Sequence, residues 1–380
     1  MFWQREVLRD AVSMTFNQAY EFDLPKSGNL GSLVLYMSST QNGQPFLTAV
    51  RWRLIDYISK IELIGDGATV IKSFDGRQAL ASAFYDDFRL PVSMWRHYSN
   101  TPHRQWIPLN LGRWLQDELL GLDLSKFNQT TLKVSNIATS TEFTTDIKIT
   151  IVAYWLREGA AAFAAYLREE EWKVWDPVAA ATEYNDLPTA LPIRRILLRG
   201  RPAVDTADAK NNSSMHRLMS DIDFTFRTGQ TRVYKGSLEV LGHLSVMEMP
   251  AQIETMTHID RTDEYGYEVG VGYVTNAVVS EASQTATPSA TASVGSGDVQ
   301  DSSQEVRQRT ADQPLQGLWR GHGFGHNVPL FYARKPDLSD LLDPLAQNVV
   351  KVDILCQSGT TVAGTFDAAE NAIILSRLVR

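Results

Sequence analysis

The 380-residue chain reads as a mostly-β protein made of two successive eight-stranded β-sandwich units, and three observations lead to that reading. Strand-like segments recur along the whole length, helical periodicity is scarce, and one series of segments occurs twice in the same order. Length agrees, since roughly 150 residues per domain gives two or three domains. Hydrophobic residues at 43% and charged residues at 21% place the chain among folded globular proteins and exclude disorder as its dominant state.

The strand segments are Leu33–Met37, Lys60–Ile64, Thr130–Val134, Asp146–Leu156, Ile193–Leu198, Asp221–Phe226, Tyr265–Val274, Val349–Leu355 and Ala372–Leu378. Each is short and rich in β-branched or aromatic residues, and several alternate as half-buried strands do. Helical pattern is confined to the alanine-rich Gly159–Trp172 and to two shorter leucine-bearing stretches, Arg113–Leu124 and Asp337–Leu345. A parallel α/β sheet would need helices alternating regularly with strands, so that class is excluded.

Met1–Phe16 carries Phe2, Trp3, Val7, Leu8, Met14 and Phe16 loosely on one helical side, with Arg5, Glu6, Arg9 and Asp10 interrupting them. Those charges exclude a secretory signal and favour a terminal arm that packs on its own or a neighbouring subunit. The sharper alternative is an interfacial helix touching lipid or a partner. No apolar run is long enough to span a bilayer. Ser280–Gln313 is dominated by Ser, Thr, Ala, Gln and Gly without an aromatic residue, and reads as a disordered surface loop or an excursion ordered by neighbouring subunits. The division expected is an arm over 1–28, a first sandwich over 29–157, a helical connector over 158–190 and a second sandwich over 191–380, with the low-complexity insertion at 280–313.

Ile58–Leu80 (ISKIELIGDGATVIKSFDGRQAL) and Met219–Leu241 (MSDIDFTFRTGQTRVYKGSLEVL) align with one gap. Ile61 falls on Ile222, Glu62 on Asp223, Gly67 on Gly229, Thr69 on Thr231 and Ile71 on Val233. Each copy reads as strand, glycine turn, strand and a short apolar-polar segment. Trp106-Ile107-Pro108-Leu109 then matches Asn327-Val328-Pro329-Leu330, and each is followed by a leucine pair, Leu119-Leu120 and Leu341-Leu342. Leu132-Lys133-Val134 matches Val350-Lys351-Val352, and the closing strand Ile147–Leu156 matches Ile373–Leu378. Four matches in one order point to internal duplication, with its breakpoint near Arg157–Pro192.

Two consecutive β units of this size suggest tandem jelly rolls, in which two packed sheets remove most edge liability. On the paired blocks and the IPL and VPL segments, the chain resembles the double jelly-roll major capsid proteins of tailless icosahedral viruses, the tectivirus and adenovirus type lineage, over most of Asn29–Arg380. The resemblance implies homotrimers of pseudo-sixfold outline that tile a capsid lattice, with long loops outward. It further implies neighbouring minor capsid or vertex proteins and an internal membrane met by the N-terminal arm. The setting it implies is the virion, with synthesis in the host cytoplasm.

Residues that could carry chemistry read as structural, and no catalytic, cofactor-binding or metal site is expected. His322 and His326 sit in GHGFGH, where the glycines disfavour the helix that such a pair would need to hold a metal, and no P-loop lysine follows. His97, His103, His216, His243 and His258 are scattered, without a nucleophile setting. Cys356, the single cysteine, lies in a strand pattern and reads as a buried inert thiol, which also excludes a disulfide scaffold. Asp56, Glu62, Asp66 and Asp75 read as solvated faces. Arg194, Arg195, Arg199 and Arg201, echoed by Arg51 and Arg53, read as the polar face of an edge strand or, functionally, as a surface for inter-subunit ion pairs, anionic lipid or packaged nucleic acid. The net charge of −8 argues against wholesale nucleic-acid binding, and no sequence-specific nucleic-acid partner is expected. Trp95, Trp106, Trp114, Trp172, Trp175 and Trp319 are placed at element ends, which fits large oligomeric contacts and fits ordinary core burial nearly as well.

The functional expectation is a structural, non-enzymatic capsid subunit, with helices near Arg113–Leu124 and Asp337–Leu345 at its trimer contacts. A tandem β-sandwich spike or carbohydrate- or receptor-binding module is the alternative, and a cupin-type enzyme is disfavoured for want of clustered histidine ligands.

Overall fold

The computed structural model describes residues 1–42, 53–94, 102–158, 162–201, 215–227, 229–249, 253–259, 266–268, 271–281, 305–307, 315–333, 335, 337–356 and 370–380. The chain divides into two compact units. Unit 1 holds Met1–Pro45, Trp52–Glu171 and Leu375–Arg380, and unit 2 is built on Trp172–Ile374.

Eight longer strands open the chain, beside two-residue strand pieces at Ser93–Met94 and Leu122–Asp123: β1 (Phe2–Met14), β2 (Ala19–Asp23), β3 (Asn29–Thr40), β4 (Ile58–Gly65), β5 (Thr69–Phe74), β6 (Pro102–Asn110), β7 (Thr130–Asn136) and β8 (Ile147–Arg157). Helix α1 (Gly76–Asp87) lies between β5 and β6. The strands pair antiparallel in two sheets, ordered β1-β8-β3-β6 and β2-β7-β4-β5. That order is a jelly roll. Alternate residues supply the core: Leu33, Leu35 and Met37 on β3, Ile147, Ile149 and Ile151 on β8, Leu132 and Val134 on β7, and Ile61 and Leu63 on β4 are all buried. Each such side chain contributes about 1.5–3 kcal/mol of burial free energy.

A second series follows: β9 (Tyr166–Trp175), β10 (Thr182–Asp186), β11 (Ile193–Arg201), β12 (Asp221–Phe226), β13 (Thr231–Ser237) and helix α2 (Leu238–Glu248). An inserted antiparallel sheet comes next, β14 (Ile253–Ile259), β15 (Val271–Glu281) and β16 (Leu315–Phe324), ordered β14-β16-β15. The series closes with β17 (Asn327–Tyr332), β18 (Val350–Leu355) and β19 (Glu370–Val379), whose last residues count with unit 1 and whose first count with unit 2. Strand orders β9-β19-β11-β17 and β10-β18-β12-β13 reproduce those of the first series strand for strand. The fold is a tandem of two jelly rolls.

The duplication extends to single residues. Ile61, Glu62 and Leu63 pair with Val134, Lys133 and Leu132, while Ile222, Asp223 and Phe224 pair with Ile354, Asp353 and Val352. Leu132-Lys133-Val134 therefore corresponds to Val352-Asp353-Ile354, two residues beyond the expected Val350-Lys351-Val352. A slip of two preserves which face is buried, so hydropathy cannot detect it. Gly67 and Gly229 stand at the same turn with φ of 71° and 83°, a conformation open to glycine at little cost. Both prolines of the IPL and VPL segments lie on the equivalent strands β6 and β17, opposite Val34 and Leu197.

The apolar-polar segment that closes each repeat is a helix. Asp75 caps α1 by accepting from Gln78 N at 2.7 Å, and the Gln78 side chain returns to the Asp75 N–H. Ser237 caps α2 at the equivalent position, accepting from Val240 N at 3.2 Å. Replacing Ser237 by alanine is expected to lower stability by about 1 kcal/mol. Denaturant titration of the S237A variant checks this, and the same replacement at the exposed Ser13 serves as the reference.

Four expected elements are corrected. Residues 1–28 are not an arm with a helix but strands β1 and β2. The pairing of β1 with β8 shifts between Val7 and Arg9 and again between Arg9 and Val12, and these bulges move the apolar residues out of period two into a helix-like spacing. The 158–190 connector is likewise strands β9 and β10. Alanine favours helix there, but β9 pairs with β5 and buries Leu167 and Glu169, so tertiary pairing overrides propensity. Arg113–Leu124 is a loop followed by a two-residue strand piece at Leu122–Asp123, because the Asp117 carboxylate takes the backbone N–H groups of Arg113 and Leu119. Asp337–Leu345 is turns, with Asp337 accepting from Ser339 N and Asp343 from Leu345 N. Most of 280–313 lies outside the described residues, as do Arg51, Trp95 and His97.

Candidate assembly surface

The clustered arginines and the glycine-loop histidines are mostly interior. Arg194, Arg195 and Arg199 are buried on β11, not displayed on an edge, because β11 has neighbours on both sides. Arg199 pairs with Glu370 at 3.0 Å. Arg194 donates to the Tyr332 hydroxyl at 2.9 Å and stacks on its ring at 5.0 Å. This corrects the expectation of an exposed basic surface. Arg201, His216 and His258 have side chains outside the described residues.

The carboxylates are local devices more than solvated faces. Asp56 accepts from Arg77 at 2.6 Å, Asp75 caps α1, and Asp66 accepts from the N–H groups of Asn128 and Gln129. His322 and His326 are both buried. A Cβ on Gly242 of α2 would lie 2.0 Å from the His322 ring, so this glycine lets helix and strand approach. The His243 and His322 rings meet edge-on at 5.1 Å. Cys356 is buried, and burial pushes its thiol up and keeps it protonated. Among the described residues no group of three or more His, Cys, Asp or Glu could hold a metal ion. Trp106 departs from the expected placement at element ends: it stands within β6 and packs on Tyr36 at 4.6 Å.

What the geometry displays is a set of surfaces that the two jelly rolls use differently. Within unit 1, β5 is joined in parallel by β9, with Lys72 opposite Glu169 and Ser73 opposite Glu170. Three consecutive glutamates of β9 are engaged there. Glu169 pairs with Lys72 at 2.7 Å and accepts from Ser82 of α1 at 2.8 Å. Glu170 takes Arg168 and Arg377, and Glu171 takes Lys60 and Gln78 of α1. The face of α1 toward β9 is thereby sealed.

The equivalent surface in unit 2 is exposed at Val240 and Met247. Strand β13 is the end of its sheet, and the α2 face bearing Val240, Leu244 and Met247 has no strand across it among the described residues. The sequence showed α2 only as an apolar-polar segment. An apolar residue at positions four and three apart on the outside of a helix was the signal available, and it reads equally as core. The outer face of the neighbouring sheet is also changed. Where Glu21, Lys133 and Glu62 alternate in sign across unit 1, Tyr184, Asp353 and Asp223 stand in line in unit 2. Burial and the adjacent Asp223 and Asp186 raise the Asp353 carboxyl above its ordinary value against the pull of Lys351.

No family model matches the chain, and no curated protein does. Solved structures match over its whole length. The major capsid protein of Sulfolobus Turreted Icosahedral Virus aligns with 100% of this chain and 96% of its own, at TM-score 0.56 and 10% identity. VP54 of PBCV-1 aligns over 99% and 94% at TM-score 0.56 and 9% identity. The major capsid protein P2 of bacteriophage PM2 aligns over 100% and 98% at TM-score 0.52 and 8% identity. Such identities carry the fold alone, and that fold is complete: this chain has the double jelly-roll architecture of the solved major capsid proteins.

Proposed function

We propose that the chain is a major capsid protein, a structural subunit that self-associates into trimers and tiles an icosahedral shell in the virion. The observation that carries this is the presence of two jelly rolls of one strand order in a single chain, matched end to end by capsid proteins. The mechanism is geometric. Two similar barrels per chain and three chains per ring approximate a hexagon, and hexagons tile a surface with repeated contacts. The role is structural and needs no catalytic group. Minor capsid or vertex proteins would meet the lattice where its symmetry changes. Residues 1–28, which would meet an internal membrane if one underlies the shell, build β1 and β2 in place of a helical arm.

Light scattering of the purified chain, with negative-stain imaging of the same peak, tests the reading. Three times 42.5 kDa with a hexagonal outline is the expected result. A monomer or two-fold dimer at all concentrations would overturn it and direct attention to binding of carbohydrate or receptor.

A further inference from the structure

The internal repeat provides a measure of what is uncovered. Residue for residue, Val240 of α2 stands where Gln78 stands in α1, Leu244 where Ser82 stands and Met247 where Tyr85 stands, given that Asp75 and Ser237 cap the two helices at the same position. Gln78 and Tyr85 are 0% exposed, whereas Val240 and Met247 are 51% and 82% exposed. On β13, Val233 is exposed where the equivalent Ile71 of β5 is buried. The polar Gln78 and Ser82 satisfy carboxylates of β9, and at their counterparts Val240 and Leu244 the surface is apolar instead. An apolar stripe beside an unpaired strand edge is an interaction surface.

The strand that covers this surface in unit 1 is β9, the first strand of the second jelly roll. Its counterpart in the first jelly roll is β1, and β1 also ends its sheet. From Phe2 to Val7 it pairs with β8 without a register shift, so its outer edge is regular there, and Phe2 and Val7 are exposed. The bulges beyond Val7 limit any added pairing to this stretch.

We propose that the open edge of β13 and the Val233, Val240, Leu244 and Met247 surface receive strand β1, through Phe2–Val7, of a second copy of this chain. The added strand would run parallel to β13, as β9 runs parallel to β5. The contact is head-to-tail: each copy offers one donor strand and one acceptor surface, the arrangement that closes into rings when the rotation permits. This proposal supplies the contact for the self-association proposed above, and rests on it for the closure at three.

The test uses two variants of the full chain. Val240→Glu/Met247→Glu disables the acceptor and Phe2→Glu/Val7→Glu the donor, all at exposed positions, so circular dichroism and melting should stay as in the parent. Each alone is expected to weaken self-association by about a hundredfold, as loss of a central apolar anchor does. Mixed together they should form a one-to-one dimer and go no further, since one intact donor and one intact acceptor remain. If the parent forms trimers and both variants do so equally, the surface assignment is overturned while the capsid reading stands. If the mixed variants dimerise but the parent makes no ring of three, the contact stands and the capsid reading falls.

Discussion

Replacing Lys72 by methionine is expected to lower the stability of unit 1 by about 3–5 kcal/mol, the cost of leaving a buried charge without its counter-ion. Lys72 and Glu169 are both nearly inaccessible and 2.7 Å apart. Their mutual attraction offsets a desolvation penalty of several kcal/mol per ion, so the pair as a whole adds little net stability while either half alone is expensive. The expected pattern is therefore asymmetric. The K72M variant should unfold at markedly lower denaturant, whereas K72M combined with Glu169→Gln should recover most of the loss, because the amide can still accept from Ser82 without carrying a charge. Denaturant midpoints of the parent, the single variant and the double variant check this. A single-variant loss below about 1 kcal/mol would show that Glu169 reaches water, against the burial described.

The same pair shows why part of the structure was legible in sequence and part was not. Strands such as Asp221–Phe226 and Ile147–Leu156 announce themselves because one face is buried and the other is not, which writes period two into the residues. The duplication was readable where turn chemistry and core alternation coincide, as at Gly67 and Gly229. What failed were segments whose state is decided by remote partners. The run Arg168-Glu169-Glu170-Glu171 behind five alanines has helical propensity and solvated-looking charge, yet Lys72, Arg377 and Lys60 hold it as a strand. The arginines of β11 misled for the same reason, since the sequence does not show that Glu370 and Tyr332 lie across from them. The proposed contact surface stands out only where the two repeats are set against each other in three dimensions. Val240 and Met247 are ordinary helix residues until Gln78 and Tyr85 show that their counterparts are covered.

Replacing Asp117 by asparagine should cost about 3–5 kcal/mol above pH 5 and leave a variant whose stability falls less on acidification than the parent's. Asp117 lies in the loop after β6 and grips Arg113 with both oxygens, at 2.7 Å to Nε and 2.7 Å to an Nη, while the guanidinium stacks on Trp114 at 4.2 Å. Burial pushes the carboxyl up, but the hydrogen bonds from Arg113 and the backbone N–H of Leu119 outweigh it and hold the group below its ordinary value. A carboxyl lowered by folding contributes stability that is complete above the unfolded value of about 3.9 and is lost as pH drops toward the folded one. The difference in denaturant midpoint between parent and D117N should thus be constant from pH 7 to about pH 5 and shrink below about pH 4. Asp23 and Asp337 are lowered as well, by exposed hydrogen bonds common to both proteins, so they cancel in that difference. A gap that persists unchanged to the lowest pH would mean that the loop is held by shape and by the Trp114 stack, and that the charge of Asp117 is incidental.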